Sequence, residues 1–179
     1  MSSVKKLSIS AICVALCYVL PQAFHALALG SILSPMHIPV FLCGLICGPL
    51  YGAVCGVLGP ILSSLLSGMP PAAMLVSMIP ELLVYGLVCG LVMGAVHTGK
   101  TYADLYLAMV PAMVLGRVAG GVAKALAFSA SAEGYSLALW VSSYFVEAIP
   151  GIVLHLVLVP LLVLALARAG VVGLPARVK

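Results

Sequence analysis

The chain has 179 residues, of which 64% are hydrophobic and only 7% are charged, and its mean hydropathy is +1.31. Soluble domains average about 25% charged residues, so this composition excludes a soluble protein and indicates a polytopic membrane protein. The net charge is +4, but the basic residues are scattered and form no aromatic-basic patch, which excludes a nucleic-acid-binding surface. The apolar runs are continuous rather than alternating, so the spans are predicted to be helices and not barrel strands.

Apolar segments separated by turn signals predict an all-α membrane protein, a compact bundle of six transmembrane helices in a single domain covering residues 1–179. The second segment is too short to cross a hydrocarbon core of about 30 Å. The residues GPLYG at 48–52 predict a tight turn before the third, in preference to one kinked helix. The first segment also has features of a signal peptide, but a first membrane span is the favoured interpretation. The predicted spans are 7–28, 37–48, 50–67, 73–97, 101–128 and 136–168.

The distribution of basic residues predicts the orientation of the bundle. The loops 29–36, 67–72 and 129–135 contain no Lys or Arg. Basic residues concentrate on the cytoplasmic side of membrane proteins, and six spans put all the terminal and connecting cations on one side. Both termini are therefore predicted to be cytoplasmic. The cations on that side are Lys5, Lys6, Lys100, Arg168, Arg177 and Lys179.

Cysteines and small residues in the spans are interpreted first as packing residues. None of the six cysteines belongs to a CxxC motif, so buried apolar packing is favoured over a metal site or a disulfide framework. Small residues four apart allow helices to approach closely. Each such pair is consistent with packing inside the monomer or with a docking face for another membrane subunit. These pairs are Ala11 and Ala15, Gly52 and Gly56, and Gly116 and Gly120.

Within the predicted spans, outside their first and last turns, the Lys, Arg, Asp and Glu residues are four: Glu81, Arg117, Lys124 and Glu147. Each costs a few kcal/mol at the bilayer centre, so such residues face the bundle interior and mark function. At about 1.5 Å per residue, Glu81 is expected roughly 12 Å below the outer start of its span, and Glu147 about 16 Å below the start of the last. All four are thus expected in the outer to middle depth of the bundle.

Aromatic and imidazole side chains are expected in the same layer. Tyr85 follows Glu81 by one helical turn, and Trp140 and Tyr144 share a stripe with Glu147. His25 and His37 are placed at the outer rim. Pockets for small molecules are mostly apolar with a few placed polar groups. The predicted substrate pocket consists of His37, Glu81, Tyr85, Arg117, Lys124, Trp140, Tyr144 and Glu147.

Other interpretations of these charges stay open at this point. Arg117 and Glu147, or Arg117 and Glu81, are also suited to an internal salt bridge that fixes helix register. Ion or proton transport is conceivable, although the chain is short and has no detectable inverted repeat. The sequence contains no HExxH, GxSxG or Walker motif, so no catalytic residue and no ATPase activity are predicted. His155 is placed in the cytoplasmic half, away from the charges.

Several stretches resemble the substrate-binding S components of energy-coupling factor (ECF) transporters. They are HIPVFLCGLICGPLYGAVCGVLGPILSSLLSGMPP, PELLVYGLVCGLVMG, LGRVAGG and AIPGIVLHLVLVPLLVLAL, which with the size and the six spans cover most of the chain. The resemblance implies a subunit, not itself an enzyme, that captures a vitamin or vitamin-like micronutrient from the outer face of a bacterial or archaeal cell membrane. No cofactor is expected. A nickel or cobalt substrate is not expected either, because MSSVKK lacks the His-rich start of the metal-transporting members.

The resemblance also implies partners. These are a transmembrane T component, two ABC-type ATPases that hydrolyse ATP, and the lipid bilayer. Ala11 and Ala15 look like the family's scaffold-docking motif. Arg117 and Lys124 are candidates to bind a carboxylate, and Glu81 or Glu147 to bind an amine or hydroxyl. The alternative to transport is a membrane assembly or structural protein whose buried charges form a salt-bridge network.

Overall fold

The structure, a computed structural model, describes residues 1–26, 33–128 and 140–172. These residues form six α-helices, with a π-helical turn at Ser142–Val146 ahead of the last. Five apolar stretches are long enough to cross a membrane, the last of them running through the π-turn and final helix. The start of the last predicted span, loop 129–135 and the cations Arg177 and Lys179 lie outside the described residues. The helices are α1 (Ser3–Ala26), α2 (His37–Cys47), α3 (Pro49–Ser67), α4 (Ala72–Ala95), α5 (Thr101–Phe128) and α6 (Ile149–Arg168).

The predicted all-helical membrane bundle is confirmed, including its short second helix. Helix α2 has 11 residues, which at 1.5 Å per residue corresponds to about 16 Å, half of a hydrocarbon core. The predicted turn after α2 is also present. Gly48 makes it with a φ of 103°, a conformation that favours glycine, and α3 begins at Pro49, where a missing N–H is harmless.

Helix α2 lies at the centre of the bundle and contacts each of the other five helices. Of its residues only Ile46 is more than slightly exposed. A short helix buried on all sides cannot face lipid, so its hydrophobic sequence fills the core between longer helices. Its first residue, His37, consequently lies inside the bundle and not at the rim where it was expected.

Helix α4 packs most extensively against α3 and α5, and glycines make the α3–α4 contact close. A methyl group at Gly86 would overlap the carbonyl of Gly52, and one at Gly56 would overlap the carbonyl of Leu82. Backbones therefore touch directly along this crossing, as small-residue spacing permits. For Gly52 and Gly56, the interpretation as packing within the monomer is confirmed.

The six cysteines are all buried and free of disulfides. Cys13 and Cys17 place α1 against the core, and the Cys17 thiol lies 3.8 Å from the carbonyl oxygen of Met36. Near the start of α1, the Cys47 thiol lies 3.6 Å from the Lys6 carbonyl oxygen. The beginning of α1 and the end of α2 thus share one end of the bundle, and that this end is cytoplasmic stays a prediction.

Candidate functional site

The turn before α2 brings two imidazoles onto one backbone carbonyl. Ser34 adopts a positive φ of 45°, a conformation that is unfavourable for a residue with a side chain and is often found at functional sites. Its carbonyl oxygen lies 3.0 Å from Nδ1 of His37 and 3.2 Å from Nε2 of His155. Because a carbonyl only accepts, both ring nitrogens donate N–H. The two imidazoles stack at 5.4 Å.

Glu81 lies beside these imidazoles on the buried face of α4. It is 8% exposed, its Oε1 accepts a 2.7 Å hydrogen bond from the hydroxyl of Tyr85, and the same oxygen is 3.6 Å from Nε2 of His37. The Tyr85 ring stacks on Phe41 of α2 at 4.9 Å. Polar groups in a membrane interior need partners, and the nearest partner of Glu81 is Tyr85, one turn later on the same helix.

Helix α5 leaves room for this pair with two glycines. A methyl group at Gly116 would overlap the Tyr85 ring, and one at Gly120 would lie 3.0 Å from Cβ and 3.2 Å from Oε2 of Glu81. The missing side chains at Gly116 and Gly120 therefore let Tyr85 and Glu81 pack directly against the α5 backbone. The interpretation of this pair as packing within the monomer is also confirmed.

Arg117 follows the first of these glycines and is 6% exposed. Its Nη1 donates to the carbonyl of Tyr144, and its guanidinium lies 5.9 Å from the centre of the Phe145 ring. Its Nε is buried and has no hydrogen-bond partner among the residues that the structure describes. A buried charged donor without an acceptor is costly, and buried charges that a membrane protein keeps usually mark function.

These groups border a cavity that we describe in two adjoining parts, which share lining residues. The first, which we call the polar chamber, has a volume of about 190 Å³ and is lined by Ser34, His37, Glu81, Arg117, Ser143, Tyr144, Glu147 and Ala148. The second, which we call the methionine chamber, has about 490 Å³. It shares Ser34, His37, Glu81 and Tyr144 with the first, and adds Met36, Met69, Met74 and Met78 together with prolines, His25 and Lys124. Together they reach the size of ordinary small-molecule pockets, roughly 300–1,000 Å³.

The structure brings most of the predicted pocket residues to this cavity. His37, Glu81, Arg117, Lys124, Tyr144 and Glu147 line it, and Tyr85 contacts it through Glu81. Trp140 contacts the backbone of Arg117. Its indole packs on Gly121, and its Nε1 donates a 3.3 Å hydrogen bond to the Arg117 carbonyl. That any of these residues binds a substrate stays a prediction.

The two acids differ in their environment. Glu147 is exposed at the end of the π-turn, where its Oε1 accepts a 3.3 Å hydrogen bond from Ser142. Within the described ranges, the one ion-pair contact between side chains joins His37 and Glu81. The hypothesised salt bridge from Arg117 to Glu147 or Glu81 is not formed there. Among the same residues, no three His, Cys, Asp or Glu side chains come together as metal ligands.

Sequence reasoning missed His155, which was placed in the cytoplasmic half and expected to be isolated. That prediction is wrong, because His155 stacks on His37 and contacts Ser34. Its depth was counted along one straight helix from residue 136, whereas α6 begins at Ile149. The four-residue spacing of His37 and Phe41 along α2 was a usable signal, since both rings lie within reach of His155.

The predicted docking pair lies on the opposite side of α1 from the core. Ala11 and Ala15 are both exposed, whereas Cys13 and Cys17 on the same helix are buried. Small side chains on an outward face leave a flat surface that another helix can approach closely.

A family model described as the substrate-specific component of ECF transporters matches residues 5–163. No curated protein and no solved structure matches the chain significantly.

Proposed function

Since the chain belongs to the family of substrate-specific components of ECF transporters, we propose that it captures a vitamin or vitamin-like micronutrient from the outer face of a bacterial or archaeal cell membrane. It is a multi-pass membrane protein of a family of transport subunits and not an enzyme. The observation that carries the proposal is the cavity bordered by the buried side chains of Glu81 and Arg117. Buried ionisable groups that face a cavity in a membrane protein mark substrate pathways.

The substrate is proposed to bind among His37, Glu81, Arg117, Tyr144 and Glu147 in the polar chamber, with Lys124 in the methionine chamber. Tyr85 and Trp140 hold Glu81 and Arg117 in place through their hydrogen bonds. The site lies between α2, α4, α5 and the segment ahead of α6.

Uptake is proposed to need further subunits, namely a transmembrane T component and two ABC-type ATPases. The family supports such partners in general, and the exposed Ala11 and Ala15 give α1 a surface for the T component. The whole chain would then act as one transmembrane domain, with ATP hydrolysed entirely by the partners.

The alternative is a membrane assembly or structural protein whose buried charges form a salt-bridge network. It fits the site less well, because Arg117 forms no ion pair with an acid in the described part of the chain. A network that exists to fix helix register would pair its buried cation.

Co-expression with a T component and its two ATPases tests the proposal. We expect the chain to co-purify with them and to support ATP-dependent uptake of a vitamin-like compound into proteoliposomes. Uptake that is equal with and without the chain, or a chain that never associates with such subunits, would contradict the proposal.

A further inference from the structure

The polar chamber contains one strongly placed cation. The Arg117 guanidinium is held on one side by the Tyr144 carbonyl, and Arg117 lines this chamber. Arginine presents pairs of donors that match the two oxygens of a carboxylate, and such charge-assisted contacts are stronger than neutral ones. The guanidinium is thus set to receive an anionic group from within the cavity.

Two acids limit the charge of that anion. Glu81 and Glu147 line the same chamber as Arg117. A dianion such as a phosphate monoester would meet two carboxylates for one guanidinium, and like charges at close range oppose binding. A singly charged carboxylate avoids most of this repulsion.

A second polar group of the ligand is indicated opposite Arg117. Nδ1 of His37 donates to the Ser34 carbonyl, and its Nε2 lies 3.6 Å from Glu81 Oε1, beyond ordinary hydrogen-bond distance. Glu81 lines the same chamber and accepts a hydrogen bond from Tyr85, and a carboxylate with two oxygens has capacity to accept from a further donor. A hydroxyl or amine of the ligand supplies that donor.

The remainder of the ligand has a different environment. The polar chamber of about 190 Å³ has room for a carboxylate and one polar substituent, and it shares four lining residues with the adjoining methionine chamber of about 490 Å³. Methionine side chains are flexible and polarizable, and they adapt to apolar groups of irregular shape. The larger chamber therefore suits an uncharged chain or ring.

Resting on the proposed function, we propose that the substrate is a small monocarboxylate that binds Arg117, carries a hydroxyl or amine donor for Glu81, and places an uncharged remainder among the methionines. The carboxylate pairs with the guanidinium, and the donor binds the Glu81 carboxylate. Neutral analogues that lack the carboxylate lose the charge-assisted contact with Arg117.

Matched pairs of an acid and its neutral analogue test this proposal on the full chain in detergent. The probes are pantothenate and panthenol, lipoate and lipoamide, biotin and its amide, and nicotinate and nicotinamide, with inorganic phosphate as the dianion probe. Isothermal titration should show at least one acid binding tenfold or more tightly than its neutral partner, since a charge-assisted hydrogen bond is lost with the carboxylate. Phosphate should neither bind nor compete.

Arg117→Gln should reduce this preference for the acid by about tenfold or more. The exposed Arg168, at the end of α6, provides the matched control, and Arg168→Gln should keep the wild-type preference. If Arg117→Gln does not fold, the comparison of acid and neutral probe on the wild-type chain still decides the question.

The outcomes separate this proposal from the one it rests on. A chain that associates with the T component and the ATPases, yet binds no acid more tightly than its neutral partner, overturns the monocarboxylate proposal alone. Preferential binding of phosphate does the same. A chain that associates with neither the T component nor the ATPases and binds no probe overturns both proposals.

Discussion

The hydroxyl of Tyr85 donates a 2.7 Å hydrogen bond to the carboxylate of Glu81, one turn earlier on the same helix. Both side chains are buried in an apolar bundle, and both are seated against glycines of α5. This pairing explains how a carboxylate is kept at a depth where burial is costly. It holds one oxygen of Glu81 in place, while the same residue lines the cavity.

Removing the tyrosine hydroxyl should destabilise the bundle. Tyr85→Phe keeps the ring that stacks on Phe41 but deprives Glu81 of its nearest donor, and a hydrogen bond to a charged group contributes about 1.5–3 kcal/mol. We expect a lower melting temperature, measured by size-exclusion chromatography after heating in detergent. Tyr106→Phe, at an exposed position on α5, should leave it unchanged. Equal melting of Tyr85→Phe and wild type would mean that the hydrogen bond is not formed.

His155 should support the site through Ser34. His155→Phe preserves an aromatic ring against His37 but removes the 3.2 Å contact with the Ser34 carbonyl. Loss of one hydrogen bond of about 1 kcal/mol should weaken ligand binding about fivefold, as measured by titration with the ligand. His97→Phe is the control, since His97 is exposed in the connection after α4. An unchanged affinity in His155→Phe would show that His155 does not stabilise the binding site.

The glycine contact between α3 and α4 predicts a large difference between two substitutions in one helix. A methyl group at Gly86 would overlap the Gly52 carbonyl, whereas one at Gly94 would meet no atom within 4 Å. Gly86→Ala should therefore force the helices apart and cost about 1–3 kcal/mol. Gly94→Ala should be neutral or slightly stabilising, because alanine favours helix more than glycine does. Thermal unfolding of both variants in detergent checks this, and equal melting temperatures would contradict the close crossing.

The sequence predicted where the helices lie along the chain better than it predicted how deeply individual residues are buried in the bundle. Apolar length alone indicated the five long spans and the short α2, because helix length in a membrane is set by the bilayer. The same length signal did not indicate that α2 is buried on every side. Its first residue was therefore placed at the rim, although it stacks on His155 inside the bundle.

Within the site, local pairs were predictable and pairs between distant segments were not. Tyr85 lies one turn from Glu81, so their hydrogen bond follows from helix periodicity. The contact of Arg117 with the Tyr144 carbonyl depends on the π-turn at Ser142–Val146, which apolar patterning does not reveal. Because the π-turn was not predicted, Glu81 and Glu147, which were expected at a similar depth, were considered as salt-bridge partners of Arg117.

The outward face of α1 leads to a prediction about assembly. Ala15→Trp places a bulky ring on a flat exposed surface and should block association with the T component, because helices approach closely only where side chains are small. Ligand binding by the isolated chain should remain, because Ala15 does not line the cavity. Ala165→Trp, an equally large change at an exposed position of α6, should leave association intact. Normal co-purification of Ala15→Trp with the T component would show that docking uses another face.

The most direct measurement is native mass spectrometry of the chain released from detergent after purification without partners. We expect a small molecule bound in a one-to-one ratio. Its occupancy should fall in Glu81→Ala and stay at the wild-type level in Gly94→Ala, since Glu81 lines both chambers and Gly94 lines neither. A chain that carries no small molecule in preparations grown in rich medium, or one whose bound molecule is unaffected by Glu81→Ala, would contradict a substrate site in this cavity.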